Sequence, residues 1–218
     1  MNTSLLEIKD LHVSFKVYEG ILKVLNGVDV RVGKKEKVGL IGETGCGKTT
    51  TMKAIMRILP VLSASIPKGK ILFEGKNILE MNSRELQKVR RRNISIVFQD
   101  PTAALNPVFK VGEQLVDVIK YSRKEGGTSP SDREVKAEAV RLLKEVALPD
   151  PERIMENYPI QLSGGMRQRI CIAMALASAN DLLIADEPGT SLDVTIEDQI
   201  LRLLKRLVEE RDTSIILI

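Results

Sequence analysis

Residues 42–49 read Gly42-Glu43-Thr44-Gly45-Cys46-Gly47-Lys48-Thr49. They match the pattern G-x-x-x-x-G-K-[ST] in full, and no other stretch limits the fold so tightly. Glycines let consecutive backbone N–H groups wrap a polyphosphate without Cβ clashes. A helix starting near Lys48 points its free N–H groups at the same anion. Lys48 would then reach the β- and γ-phosphates, and Thr49 would set its hydroxyl on Mg²⁺. The apolar stretch 37–41 runs straight into this loop as a short strand. After it, Met52, Ile55, Met56 and Leu59 recur at helical spacing up to Pro60. Cys46 is a small spacer in the loop or, alternatively, a thiolate stabilised by the helix N-terminus.

The remaining pattern extends this unit. Residues 5–15 and 23–32 read as two strands, with Glu19-Gly20 near the turn between them. Further strands are expected at 70–73, 94–98, 182–185 and 214–218. Helices are expected at 111–120, 132–146, 165–178 and 194–210. Antiparallel strands come first and alternating strand and helix later, with a mostly helical stretch from about 101 to 159 between them. The pattern predicts an α/β core with an inserted helical subdomain. Residues 122–132 are polar and rich in Gly and Ser, and read as an exposed loop.

Composition excludes several chemistries. The chain has 218 residues, one histidine, His12, and two cysteines, Cys46 and Cys171. A multi-histidine metal site, a four-ligand zinc site and a disulfide scaffold are therefore out of reach. Lys+Arg exceeds Asp+Glu by 33 − 29 = 4, too mild a surplus to point to nucleic acid. The basic run Lys88-Val89-Arg90-Arg91-Arg92 closes a helix that starts near Ser83, and reads as a solvated helix end. The longest apolar run, 170–179, lies between Arg169 and Asn180-Asp181 and is too short to span a bilayer. Glu7, Lys9 and Asp10 stand where a signal peptide needs an apolar core, so a cytosolic context is expected.

Residues 182–188, Leu182-Leu183-Ile184-Ala185-Asp186-Glu187-Pro188, form an apolar run ending in two carboxylates. Such a run suits a strand buried on both faces of a parallel sheet. Open α/β sheets place ligand chemistry at the C-terminal ends of their strands. Asp186 is suited to hold Mg²⁺, and Glu187 to orient or deprotonate an attacking water.

With these sites in place, the chain resembles the ATP-binding cassette ATPases, the engine subunits of ABC transporters. Leu162-Ser163-Gly164-Gly165-Met166-Arg167-Gln168-Arg169 is similar to the family's signature, L-S-G-G-Q. Its physics also stands independently: Ser163 is a good N-cap, and Gly164-Gly165 expose N–H groups at a helix start. The resemblance implies nucleotide contacts from Gly42, Glu43, Thr44, Gly45, Cys46, Gly47, Lys48, Thr49 and Thr50. It implies that Ser163, Gly164 and Gly165 close on ATP held by another subunit. Gln99 matches the Q-loop glutamine, which implies contact with Mg²⁺ and the attacking water. Ser191-Leu192-Asp193 matches the D-loop, which implies communication by Asp193 across a dimer. Phe15 falls where the family sets an aromatic residue on adenine; Tyr18 is the alternative, and a core role for Phe15 remains open.

A narrower similarity, to oligopeptide, dipeptide and nickel importer ATPases, rests on Phe98-Gln99-Asp100-Pro101-Thr102-Ala103-Ala104-Leu105-Asn106-Pro107, Met166-Arg167-Gln168-Arg169 and Leu192-Asp193-Val194-Thr195. Met166 replaces the signature glutamine, as is common in that subgroup, and Gly189 stands where threonine is more usual. This resemblance implies one nucleotide-binding domain over residues 1–218. Its antiparallel β subdomain is N-terminal and its helical subdomain runs from about 101 to 165. It also implies a head-to-tail ATPase dimer on two membrane permeases at the cytoplasmic face of a bacterial or archaeal membrane. An external binding protein would deliver peptides or a related solute, and no nucleic-acid partner is expected. The family continues past the last strand into a turn whose histidine meets the γ-phosphate, so the resemblance implies that the C-terminal end is missing and hydrolysis by this piece impaired. The alternative is a non-transport ATPase of the same fold acting on nucleic acid or ribosomes. No long heptad run and no second cassette, which such members carry, is found in the sequence.

Overall fold

The computed structural model describes residues 4–123, 130–178, 181–190 and 192–218. In chain order the strands are β1 (Ser4–Val17), β2 (Gly20–Gly33), β3 (Lys37–Gly39), β4 (Ala64–Phe73), β5 (Lys76–Asn77), β6 (Ile94–Val97), β7 (Leu182–Ala185) and β8 (Ser214–Leu217). The helices are α1 (Lys48–Ile55), α2 (Ser83–Arg92), α3 (Pro101–Ala104), α4 (Val111–Arg123), α5 (Asp132–Glu145), α6 (Pro151–Glu156), α7 (Gly164–Ala177) and α8 (Val194–Glu210).

Two sheets form. The first is antiparallel, with order β2-β1-β4-β5. Along β1, Leu6, Ile8, Leu11 and Val13 are buried. The two-residue alternation breaks at Asp10, whose φ of 46° marks the irregularity between the Ile8 and Leu11 pairings. The second sheet is parallel, with order β3-β8-β7-β6. In it Leu182 pairs with Ile94 and Ser214, and Ala185 with Val97 and Leu217.

β7 is wholly apolar because both its faces are covered. Leu182, Ile184 and Ile216 join the core beneath the antiparallel sheet, with Met52 and Ile55 of α1. Leu183, Ala185 and Ile215 join a second core, with Leu115, Leu142, Ile170, Ile172, Leu204 and Leu207 of the helices. Strand alternation thus ties two cores to one sheet, and the C-terminal ends of that sheet meet the loops that carry the site.

Three expectations shift. Helix α1 stops at Ile55 rather than near Leu59, because the Arg90 guanidinium donates to the carbonyls of Met56 and Arg57 and Arg57 turns to a φ of 49°. The basic end of α2 is accordingly no simply solvated run: Arg90 caps α1, and Arg91 lies 5.9 Å from the Tyr121 ring centre. The strand expected at 70–73 starts at Ala64, where β4 continues the pairing with β1 through Pro67 and Gly69. Of the polar stretch 122–132, residues 124–129 lie outside the described residues, as do Ala179 and Asn180 at the end of the apolar run. Among the described residues no helix is long and apolar enough to cross a membrane.

Candidate functional site

The phosphate loop follows β3 and opens α1. Gly45 and Gly47 hold φ values of 86° and 99°, the left-handed region that other residues enter at a cost. At Gly47 a Cβ would also stand 2.5 Å from Leu25 Cδ2, so the loop is pressed against β2. A Cβ on Gly42 would sit 2.7 Å from Cys46 Sγ, a side-chain atom that can move. Glu43 and Thr44 are exposed at the loop's outer turn, where the Cys46 N–H donates to the Glu43 carbonyl at 3.2 Å. Cys46 is exposed, as a side chain at the mouth of such a loop must be.

Lys48 Nζ donates to the carbonyls of Gly42 and Glu43, at 2.7 and 2.9 Å. The ammonium is therefore folded over the concave side of the loop, where an anion would draw it. Thr50, half-buried on the first turn of α1, lies beside the loop, and Thr51 ties the turn down by donating to the Gly47 carbonyl at 3.0 Å.

Thr49 and Asp186 meet although 137 positions separate them: the hydroxyl donates to both carboxylate oxygens, at 3.2 and 3.1 Å. Asp186 is only 3% exposed. Burial holds its carboxyl above the usual carboxylate range, the Thr49 hydroxyl opposes this, and the neighbouring Glu187 adds to the rise. A buried carboxylate beside a second acid and a hydroxyl fits Mg²⁺, a hard cation usually held by one or two carboxylates together with substrate phosphates. Thr49 and Asp186 are the side chains that would hold it. Among the described residues no group of three or more His, Cys, Asp or Glu side chains could hold a metal by itself.

Glu187 stands one residue beyond, with a φ of 45° that aims its side chain away from the strand. Its carboxylate accepts from Gln99 Nε2 at 2.8 Å and from the Thr190 hydroxyl at 3.2 Å. Its backbone N–H donates to the Ile218 carbonyl at 3.1 Å. The ends of β6, β7 and β8 thus gather Gln99, Asp186 and Glu187 at one sheet edge, with the phosphate loop reaching them through Thr49. Thr190 was not foreseen from the sequence, because nothing in its spacing marks a turn that folds back on Glu187.

The signature residues lie elsewhere. Ser163 caps α7 by accepting from the Met166 N–H at 3.3 Å. A Cβ on Gly164 would sit 3.1 Å from Leu192, and one on Gly165 2.8 Å from Ile196. Their neighbours are thus the start of α8 rather than the phosphate loop. Asp193 precedes α8, exposed and without a capping bond. Ser191 lies outside the described residues. Phe15 is partly buried against the core under the antiparallel sheet. It pairs with Leu22, two positions along β1 from Val13, the partner of the Leu25 that touches Gly47. Tyr18 is fully exposed at the hairpin turn. His12 bonds Asp10 at 2.8 Å on the bulged strand and takes no part in the site.

A glycine-rich loop between strand and helix, with an acid at the end of a nearby parallel strand, defines a phosphate-loop domain. A family model described as ABC transporter matches residues 25–190, and the chain belongs to that family. It is 46% identical, over 99% of its length and 59% of the relative's, to the oligopeptide transport ATP-binding protein OppD of Bacillus subtilis (strain 168). Identity to the dipeptide transport ATP-binding protein DppD of the same organism is 44%, over 98% of this chain and 62% of that one. The chain therefore spans about three fifths of the length of these relatives. Among solved structures, the ATP-binding cassette MJ0796 in a dimeric post-hydrolysis state bound to ADP and Pi superposes with a TM-score of 0.83. That match has 28% identity and covers 97% of this chain and 86% of the other.

Proposed function

We propose that the protein carrying this chain binds Mg-ATP, hydrolyses it and so powers the import of oligopeptides, dipeptides or a related solute. The observation that carries the ATPase reading is the meeting of Thr49 with Asp186 at 3.1–3.2 Å, beside the Gln99–Glu187 bond of 2.8 Å. The peptide reading rests on the identities of 46% and 44% to oligopeptide and dipeptide transport ATP-binding proteins.

The residues divide the work. Backbone N–H groups from Gly42 to Thr50 and the Lys48 ammonium bind the phosphates and stabilise charge on the transferring group. Thr49 and Asp186 would hold Mg²⁺, which would supply positive charge against the phosphates. Glu187 orients a water and accepts its proton as the oxygen attacks the γ-phosphorus, and the bond to the β-phosphate oxygen breaks to leave ADP. Gln99 and Thr190 hold the Glu187 carboxylate in place. Phe15 stacks on adenine from the end of the hairpin.

Ser163 is exposed, Gly164 and Gly165 neighbour the start of α8 and not their own chain's phosphate loop, and Asp193 is exposed nearby. This supports a head-to-tail dimer in which each signature closes on the partner's ATP. Residues 1–218 belong to one nucleotide-binding domain whose C-terminal end lies beyond them, with the helical subdomain at about 101–165. The pair docks on two permeases at the cytoplasmic face of a bacterial or archaeal membrane, supplied by an external binding protein.

The test is reconstitution of the full-length protein with the two permeases and the binding protein of its own transporter. Peptide should accumulate in ATP-loaded vesicles, and Lys48→Ala should reduce ATP affinity by about tenfold or more and abolish uptake. Unchanged affinity in Lys48→Ala would refute the assignment of the phosphate loop.

A further inference from the structure

Gln168 is the most deeply buried uncharged polar side chain of the signature helix. It is 0% exposed, yet neither Nε2 nor Oε1 has a partner among the described residues. A buried amide left unpaired is costly, and such groups call for an explanation. Its surroundings offer one. Residues three and four apart share a helix face, so Gln168 shares a face of α7 with Gly164, Cys171 and Ile172. One turn before it, Gly164 lies against Leu192. One turn after it, Cys171 feels the charge of Asp100, although burial is the larger reason its thiol is pushed up to about 12. The face of α7 that carries Gln168 therefore meets the segment after Glu187 at Gly164, and α7 also packs against α3 in the segment after Gln99. These are the two segments whose side chains meet at 2.8 Å over the site.

We propose that Gln168 is a positioning residue for ATP hydrolysis. Its amide is unpaired in the arrangement described here and pairs with the backbone of these two segments in the arrangement that turns ATP over. An amide carries both donors and acceptors. It can donate to a carbonyl of one segment and accept an N–H from the other, clamping Gln99 and Glu187 in register with the signature helix. Pairing in one arrangement and not in the other biases a two-state equilibrium, because the preference is a difference in interaction free energy. The inference rests on the ATPase reading above and adds a residue that touches no nucleotide.

The test is Gln168→Met in the full-length protein, a shape-matched side chain without polar atoms. Thermal unfolding without nucleotide should show Tm raised by about 2–4 °C, since an orphaned amide has been removed. Saturating Mg-ATP should show kcat lowered about fivefold or more at an unchanged KM, because the lost bonds form only during turnover. A lower Tm would mean that the amide is already paired, for instance with a buried water, and would overturn the proposal. An unchanged kcat would overturn it equally. The parent protein separates the two levels: a parent that neither binds nor hydrolyses ATP refutes the ATPase reading. An active parent matched by Gln168→Met refutes the role of Gln168 alone.

Discussion

Asp186 concentrates the chemistry of single residues in this protein. Its carboxylate is buried at the end of a wholly apolar strand, beside a second acid, with one hydroxyl donor to answer it. Such a position is unfavourable for folding without a compensating charge, and the proposed Mg²⁺ role would supply one. Asp186→Asn keeps the shape and the capacity to accept from Thr49, and removes the charge. Its fold should persist, while affinity for Mg-ATP falls about tenfold or more and affinity for metal-free ATP changes little. Calorimetric titration with and without Mg²⁺ checks this. Equal loss in both conditions would mean that Asp186 supports the loop rather than the cation. Asp186, Glu187, Lys48 and Thr49 were legible in the sequence, because phosphate chemistry demands those residue types next to a strand. Thr190 was not, since its bond to Glu187 arises only when the turn after β7 folds back on that residue.

At the scale of elements, the helices are held by arginines at their ends. The carbonyl end of α5 receives Arg169 on Val146 at 2.8 Å and Arg206 on Glu145 at 2.7 Å. Arg211 adds a bond to the Glu145 carboxylate at 2.5 Å. Within α5, Arg141 bridges Glu138 and Glu145, and Arg123 of α4 reaches Glu138 at 3.2 Å. The Arg141 hydrogen bond holds the Glu138 carboxyl below its usual range, against the effect of burial. A depressed folded-state value contributes stability above the unfolded-state value of 4.5 and loses it as pH falls through the folded one. Glu138→Gln should therefore cost about 0.5–1 kcal/mol at pH 7. The difference from the parent should fade as the pH falls below that unfolded-state value. Urea unfolding at both pH values checks this, and a difference independent of pH would assign the effect to packing. Such ties also explain which boundaries the sequence could reveal. The limits of β7 and α8 follow from apolar runs and acids in the chain itself. The early end of α1 depends on Arg90, 34 positions away. Helix α6, with six residues, is too short to display a period.

The whole molecule couples two cores through one sheet. β7 and β8 send alternate side chains into the core with α1 and into the core with α7. The phosphate loop and the signature helix are thereby fixed to opposite sides of the strands that carry Asp186 and Glu187. The overall architecture was readable because the change from antiparallel strands to alternating strand and helix is written in the order of the elements. The packing of the signature glycines on the start of α8 was not, because it depends on the contacts of Gly164 and Gly165 with Leu192 and Ile196.

The central claim is that Glu187, held by Gln99 and Thr190, handles the water that cleaves ATP. Its most direct test is ATP turnover by Glu187→Gln against the parent at saturating Mg-ATP, with bound nucleotide identified after rapid filtration. The account predicts retained ATP and a rate lowered about a hundredfold or more. Turnover as fast as the parent's would contradict it.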